Sequence, residues 1–439
     1  MFVYIYLQCA ICGSYERRIS DEKICTDHGN AFIGGSGRYT LYEKMLTDSM
    51  LLLYALVTLL ILRICLKPVR QQFPSHKMAA QVIFSALFLT ASLLPVIGAF
   101  AKPASLAAPL RRIGNFWLGF ALFVLLGAVL CRILALVFRK YLSKAPARPG
   151  IPWRRAAALC AAAVLIVSLG TLHTGQIRTT SYTIPVTGTE QQKMRIAFVA
   201  DLHIGCYIGN EQITKMVDKI NEMDPDLVLF GGDIYDSDYN MLNDPEEIAA
   251  TLRKIHSRYG VYGVYGNHDV AETLIGGFSI SPASQAYRDP RMAELLKESN
   301  ITMLDDETVS LAGGKIKLVG RLDGEKSGDG LTPRMPAAKL IGQNTSGSTV
   351  IVLEHEPVEL NELAELGVSL VLSGHTHAGQ FFPLTLAQPF IWKNPYGLKK
   401  FGSMYSVVTS GVGVYGPPLR ILTDSEVVQI DLRYGNTGG

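Results

Sequence analysis

Between Asp48 and Glu190 the chain has no acidic residue, although Lys and Arg recur throughout that stretch. Within it, residues 50–66, 79–101, 116–138 and 156–172 are almost continuously apolar. Each run is close to the roughly 20 residues a helix needs to cross the hydrocarbon core of a bilayer. About four transmembrane helices are therefore expected over 49–172. The first run is short and the fourth Ala-rich, so three spans plus one interfacial helix is the alternative. Residues 1–172 carry 19 basic and 6 acidic side chains (+13), and 173–439 carry 22 and 32 (−10), which together give the net +3. The basic excess belongs to the apolar part, and the acidic remainder has no overall electrostatic footprint for nucleic acid.

Lys and Arg beside a span are held back on the cytoplasmic side. The first connection has Lys67, Arg70 and Lys77, with Arg63 at the end of its helix. The third has Arg139, Lys140, Lys144, Arg148, Arg154 and Arg155, whereas the second has only Lys102, Arg111 and Arg112. The two richer connections are assigned to the cytoplasm, which places everything after Leu172 outside, and removing the first helix leaves that result unchanged. A multi-pass cell-membrane protein with an extracytoplasmic domain is expected. Arg63 and Arg132 lie near helix ends, where long side chains snorkel, so no central charge marks an ion or proton pathway.

From Met194 onward, short apolar runs alternate with helix-like stretches: RIAFVADLHIG, ITKMVDKINEM, PDLVLFGGD, EEIAATLRKIHSRYG, VYGVYGNHD. Strand, helix, strand, helix, strand is the natural parse. KIKLVG, STVIVLEHEP, VSLVLSGHTH, YSVVTSG and EVVQIDL add further strands, so an α/β layered domain follows. Residues 173–193 are taken as a linker. Only Cys206 of the seven cysteines lies in this half, which excludes a disulfide framework there.

Polar residues of metal-ligand or acid–base type stand where these strands end: Asp201 and His203, Asp233, Asn267 and His268, His355, His375 and His377. Five of the nine histidines fall at such exits. Singly, a His after a strand is more often hydrogen-bonded structure than a ligand. In this order, behind five strands, the set points to one crevice, because loops at the carboxyl ends of strands gather together in open α/β sheets.

The series DLHIG, GGD, GNHD, HEP and GHTHAGQ resembles the calcineurin-like metallophosphoesterase superfamily over residues 194–432. VTSGVGVYGPPLR with HAGQ is similar to its membrane-associated YkuE/YaeI-like branch. The resemblance implies a four-layer αββα metallophosphoesterase sandwich preceded by an α-helical transmembrane region. It assigns Asp201, His203 and His377 to one metal, Asn267, His355 and His375 to the other, and Asp233 to both. It also makes His268 the catalytic histidine that protonates the leaving group or stabilises the transition state, with Asp269 orienting its ring. Two divalent ions are implied. The oxygen and imidazole ligand types suit Mn, Fe or Zn, and phosphoester or pyrophosphate hydrolysis by a metal-bridging hydroxide follows. Cys206 is taken as a neighbour. Asp236 and Asp238 are partners of the ligands or else an acidic solvated loop. The glycines of GGD, GNHD and SGHTH are expected to allow close backbone approach, and no nucleotide-binding fingerprint is present.

A site beside the outer face of a membrane meets a lipid-linked or cell-envelope substrate, and this is the expected class. The alternatives are a nucleotide or nucleic-acid phosphodiesterase, a UDP-diacylglucosamine pyrophosphatase-like lipid A enzyme, whose reaction faces the cytoplasm, and a non-catalytic membrane scaffold. FFPLTLAQPFIWKNPYGLKKFG suits a membrane interface or an anionic head group, or equally a loop packing under the sheet. VAETLIGGFSISPASQAYRDP is placed to cap the crevice. Cys9, Cys12, Cys25 and His28 have a spacing compatible with a small zinc site. They lie in an N-terminal segment, 1–48, for which Met45 and Met50 are alternative starts.

Overall fold

The computed structural model describes residues 35–73, 75–139, 153–187, 193–281, 287–324, 326, 333–342 and 347–435. Cys9, Cys12, Cys25 and His28 lie outside the described residues, as do Lys140, Lys144 and Arg148 of the third connection. Among the described residues four helices come first: α1 (Gly35–Gln72), α2 (Lys77–Phe100), α3 (Ala104–Arg139) and α4 (Trp153–Thr174). All four contain a segment long and apolar enough to cross a membrane. They pack on one another through Ile61, Phe88, Val124, Ala163 and Val167. Their outward faces carry exposed Leu, Ile, Val and Phe, among them Leu52, Ile83, Leu136 and Leu165, the pattern of a bundle surrounded by hydrocarbon.

The strands are β1 (Ile177–Thr187), β2 (Lys193–Val199), β3 (Leu227–Gly231), β4 (Val261–Val264), β5 (Leu274–Ile275), β6 (Phe278–Ser279), β7 (Thr302–Met303), β8 (Glu307–Leu311), β9 (Ile316–Gly320), β10 (Thr349–Leu353), β11 (Leu370–Ser373), β12 (Gly397–Phe401), β13 (Met404–Val408) and β14 (Ser425–Gly435). The helices among them are α5 (Asn210–Glu222), α6 (Pro245–Leu252), α7 (Pro290–Glu298), α8 (Ala337–Ile341), α9 (Leu360–Glu365) and α10 (Gln388–Ile391). One sheet has the order β1-β14-β2-β3-β4-β7 and the other β12-β13-β11-β10-β9-β8, while β5 and β6 form a separate hairpin. In the first sheet β2, β3 and β4 are parallel neighbours; in the second β9, β10, β11 and β13 are.

Strand alternation explains why the runs are apolar on both faces. On β2, Ile196 and Phe198 turn toward the other sheet and join Leu229, Leu318, Ile351, Leu353 and Leu372. Ala197 and Val199 turn outward and pack with Ile213, Met216, Ile220, Ile248 and Leu295 of α5, α6 and α7. Beyond the second sheet, Val350, Val352 and Val371 meet Ile341, Leu360 and Leu363 of α8 and α9. The layers are therefore helix, sheet, sheet, helix. Each fully buried Leu, Ile or Phe contributes roughly 1.5–3 kcal/mol.

Residues 173–193 are not simply a linker, because β1 occupies 177–187. Its β-branched residues pair in parallel with β14, from Ile177 opposite Ser425 to Thr187 opposite Gly435. A strand whose partner lies so far along the sequence leaves little local trace. Helix α1 starts at Gly35, within the stretch assigned to the N-terminal segment.

Candidate metal centre

Each candidate residue stands just past the carboxyl end of a strand: Asp201 after β2, Asp233 after β3, Asn267 after β4, His355 after β10 and His375 after β11. β2, β3 and β4 are neighbours in one sheet, and β10 and β11 in the other, so the exits open into one crevice between the sheets. Five of these residues bend the chain through the left-handed region: Asp201 (φ 53°), His203 (48°), Asp233 (51°), His375 (68°) and His377 (49°). Non-glycine residues there cost about 1–3 kcal/mol each and cluster at functional sites. Side-chain clearance is minimal. A Cβ at Gly374 would collide with the Asp201 carboxylate, and one at Gly266 with the Asp233 carboxylate.

All seven predicted ligands come together. His203 Nε2 lies 3.0 Å from His377 Nε2 and 3.6 Å from Asp233 Oδ2, and His377 Nε2 lies 3.5 Å from Asp201 Oδ1. On the other side, His355 Nε2 is 3.1 Å from Asp233 Oδ2 and 3.1 Å from Asn267 Oδ1. His375 Nδ1 is 3.1 Å from that same amide oxygen and 3.3 Å from His355 Nε2. Asp201, His203 and His377 form one group that could hold a metal ion, and Asp201, Asp233 and His355 another. The His355 Nδ1 atom meets the Gly231 carbonyl at 2.8 Å, which turns Nε2 into the crevice.

The electrostatics fit a cation. Burial pushes His203 down to about 4 and His375 down to about 3, and holds His377 well below its ordinary value. Neutral imidazoles are the ligating form. Burial pushes Asp201 up to about 7. Burial would also raise Asp233, but His355 and the other rings beside it hold its carboxyl well below the usual range. Burial alone would lower His355, yet Asp233 raises it far above. Among the described residues the buried His203 and His377 Nδ1 atoms have no hydrogen-bond partner. Nitrogen and oxygen lone pairs that converge at 3.0–3.6 Å are a donor set that divalent metals satisfy.

His268 sits on the rim. Its backbone N–H donates to Asp233 Oδ1 at 2.8 Å, its ring lies 5.2 Å from that of His203, and burial pushes it down to about 3. Asp269 is placed differently from the sequence expectation. Its carboxylate accepts the N–H groups of Gly266 (2.7 Å) and Tyr235 (2.9 Å), so it braces the GNHD turn, while the Ser237 hydroxyl is the group 3.4 Å from His268 Nδ1. Asp236 approaches His203 Nδ1 at 3.9 Å, whereas Asp238 caps a short turn and pairs with Arg111 at 3.3 Å. The Cys206 thiol is pushed up to about 12 by burial and joins neither ligand group.

Several residues at the site carried no signal as isolated letters. The Tyr415 ring lies 4.9, 5.8 and 6.2 Å from those of His377, His203 and His268, and Gln380 clamps it by donating to its carbonyl at 2.9 Å and accepting its N–H at 3.0 Å. Trp392 packs edge-on against His375 at 5.2 Å. Buried Arg420 donates to the carbonyls of Ser410, Gly411 and Gly413, and thereby shapes the loop around Asp201. Tyr415 and Arg420 fall within VTSGVGVYGPPLR, the one signal that pointed toward them.

The helical bundle docks on these same loops. Arg112 Nε donates to the Cys206 carbonyl at 2.5 Å, Asn115 to that of Gly416 at 3.0 Å, and Tyr207 Oη to that of Arg111 at 2.9 Å. The Arg420 N–H meets the Gly170 carbonyl of α4 at 3.0 Å. Leu419 is buried within the helical cluster. The β5–β6 hairpin, part of the expected cap, stands against Leu118 and Gly416, and residues 282–286 of that cap lie outside the described residues.

Residues 194–379 match the family model for calcineurin-like phosphoesterases. The chain is 30% identical over 245 residues to a protein of Helicobacter pylori described as an uncharacterized metallophosphoesterase, covering 55% of this chain and 60% of that one. It is 30% identical over 256 residues to a Danio rerio transmembrane protein with metallophosphoesterase domain, covering 55% and 53%. With the metallophosphoesterase YkuE of Bacillus subtilis it shares 27% identity over 255 residues, 55% of this chain and 80% of that one. The chain thus spans between half and two thirds of the length of the first two relatives.

Proposed function

From the premise that the chain belongs to the calcineurin-like metallophosphoesterases, we propose that it is a membrane-anchored hydrolase of phosphoester or phosphoanhydride bonds. Its substrate is lipid-linked or a cell-envelope phosphate. The observation that carries this is the meeting of seven side chains from two sheets, with the Asp233 carboxylate 3.6 Å from His203 and 3.1 Å from His355. Asp201, His203 and His377 would hold one divalent ion and Asn267, His355 and His375 the second, with Asp233 facing both. When bound, such a pair polarises the phosphoryl oxygens and activates water. His268, fixed by its N–H on Asp233 and held neutral by burial, stands at the mouth to bind the phosphoryl group through its ring N–H or, once the phosphate's negative charge raises its pKa, to give a proton to the leaving oxygen. Ser237 at its Nδ1 sets the ring, and Tyr415 walls the crevice against bulk water.

The membrane side of the proposal rests on the four apolar helices and on the Lys and Arg of the first and third connections, whose excess supports a catalytic domain outside the cell. The hydrogen bonds of Arg112 and Asn115 to site loops support a substrate met at the bilayer surface. The test uses the full chain in nanodiscs: metal content, then turnover on a phosphomonoester, a phosphodiester and a pyrophosphate, with and without Mn²⁺. Metal-dependent turnover on one class is expected, and none on any class would sink the proposal. A cytoplasm-only reporter fused after Gly439 should be silent; activity there would reverse the orientation.

A further inference from the structure

We infer that residues 381–392, with Leu422 beside them, form a bilayer-seated lip on the metal crevice. This goes beyond the proposed activity but rests on the helices being membrane-spanning.

The segment has three sides with three different environments. Phe381 and Leu384 are buried in the helical cluster, together with Phe123, Val167 and Leu419. Trp392, at its end, lies against His375. The third side is open and apolar: Phe382 is 40% exposed, Leu386 62%, Phe390 84% and Leu422 81%. The Phe382 N–H donates to the Ile421 carbonyl at 3.2 Å, which joins Leu422 to the same patch. Large apolar side chains this exposed and this close together mark an interaction surface.

Its occupant follows from where the patch sits. Arg420 bonds to Gly170, four residues inside the end of α4, and Leu419 lines Gly119 together with Val167, seven residues inside. At a helix rise of 1.5 Å per residue, the 419–422 loop therefore reaches roughly 6–10 Å below the helix end. That is the depth at which head groups give way to acyl chains, where interfacial segments bury Trp, Phe and Leu. Ile421, next to Leu422, packs at Gly170 of α4, whose neighbours Leu169 and Leu172 are exposed on the outer surface of the bundle, so a protein partner on the patch would have to share that boundary with lipid. Exposed Lys393, Lys399 and Lys400 follow within ten residues of Phe390, and cations at this level attract anionic head groups. Trp392, the inner end of the lip, lies 5.2 Å from the His375 ring, so a phosphate head group held at the lip would be beside the ligands.

The test places nitroxides on cysteines introduced as Phe390→Cys, Leu422→Cys and, as an exposed control, Lys254→Cys. The full chain carries alanine at its native cysteines and is held in nanodiscs of phosphatidylethanolamine and phosphatidylglycerol. Collision with oxygen should exceed collision with a water-soluble nickel chelate several-fold at 390 and 422, and the order should reverse at 254. A water-like reading at either 390 or 422 overturns the lip. The measurement does not depend on turnover: lipid-like collision with no hydrolysis of any phosphate class would defeat the phosphoesterase proposal and leave the lip standing.

Discussion

The crevice and the seam against the helices both use glycine to bring groups close, but for opposite ends. At the crevice, Gly266 and Gly374 leave room for the carboxylates of Asp233 and Asp201, so polar atoms are crowded where only a cation can relieve them. At the seam, Gly119 and Gly170 leave room for Leu419 and Ile421, so apolar groups are crowded where van der Waals contact is the gain. The first arrangement costs folding energy and is repaid by a ligand; the second contributes to folding directly. A substitution should therefore act through ligand content in one place and through packing in the other.

The sharpest break would be Asp233→Asn, which removes the carboxylate that lies 3.6 Å from His203 and 3.1 Å from His355 and is proposed to face both ions. Loss of bound metal and a fall in turnover of more than about a hundredfold are expected, because even outer partners of ligands are worth 10–100-fold. Metal analysis beside initial rates checks it. His268→Ala comes next: metal content unchanged, rate down about 10²–10⁴-fold, the range for a positioned acid. A wild-type rate would remove His268 from the chemistry. Chelation should lower the melting temperature of the native chain and leave Asp233→Asn unmoved, since a ligand stabilises only a state that binds it. At the seam, Gly119→Leu should cost about 1–3 kcal/mol by overpacking, with metal content intact and hydrogen exchange rising at 416–421. Equal exchange in the two proteins would show that the seam is looser than its contacts indicate. The smallest effect is expected of Asn115→Leu, about 0.5–1.5 kcal/mol for one hydrogen bond, read as a shift in thermal melting.

Eight of the strands could be read from the chain because each is a short apolar run ending in a polar turn: β2, β3, β4, β9, β10, β11, β13 and β14. The same endings made the candidate ligands visible, since chemistry in such folds is carried just past the strand. What was hidden depends on distance or on backbone shape. β1 could not be recognised without β14, and the left-handed turns at Asp201, His203, Asp233, His375 and His377 leave no mark in residue identity. Asp269 was expected to serve its neighbour's ring because adjacency in sequence suggests adjacency in space. The GNHD turn instead points its carboxylate back at Gly266 and Tyr235. Tyr415, Trp392 and Asn115 are ordinary letters whose role arises only when three loops and a helix meet.

The strand that leaves α4 forms eleven consecutive pairs with the last strand of the domain. The domain is thus moored by a sheet edge rather than hung on a leash. A flexible tether would let the crevice sample a volume above the bilayer and meet solutes at an effective concentration. A moored one holds a single height and tilt, so on the lipid-linked substrate proposed for it the encounters would be those of a surface, counted per unit area, and the rate would follow the density of substrate in the leaflet rather than in the surrounding water.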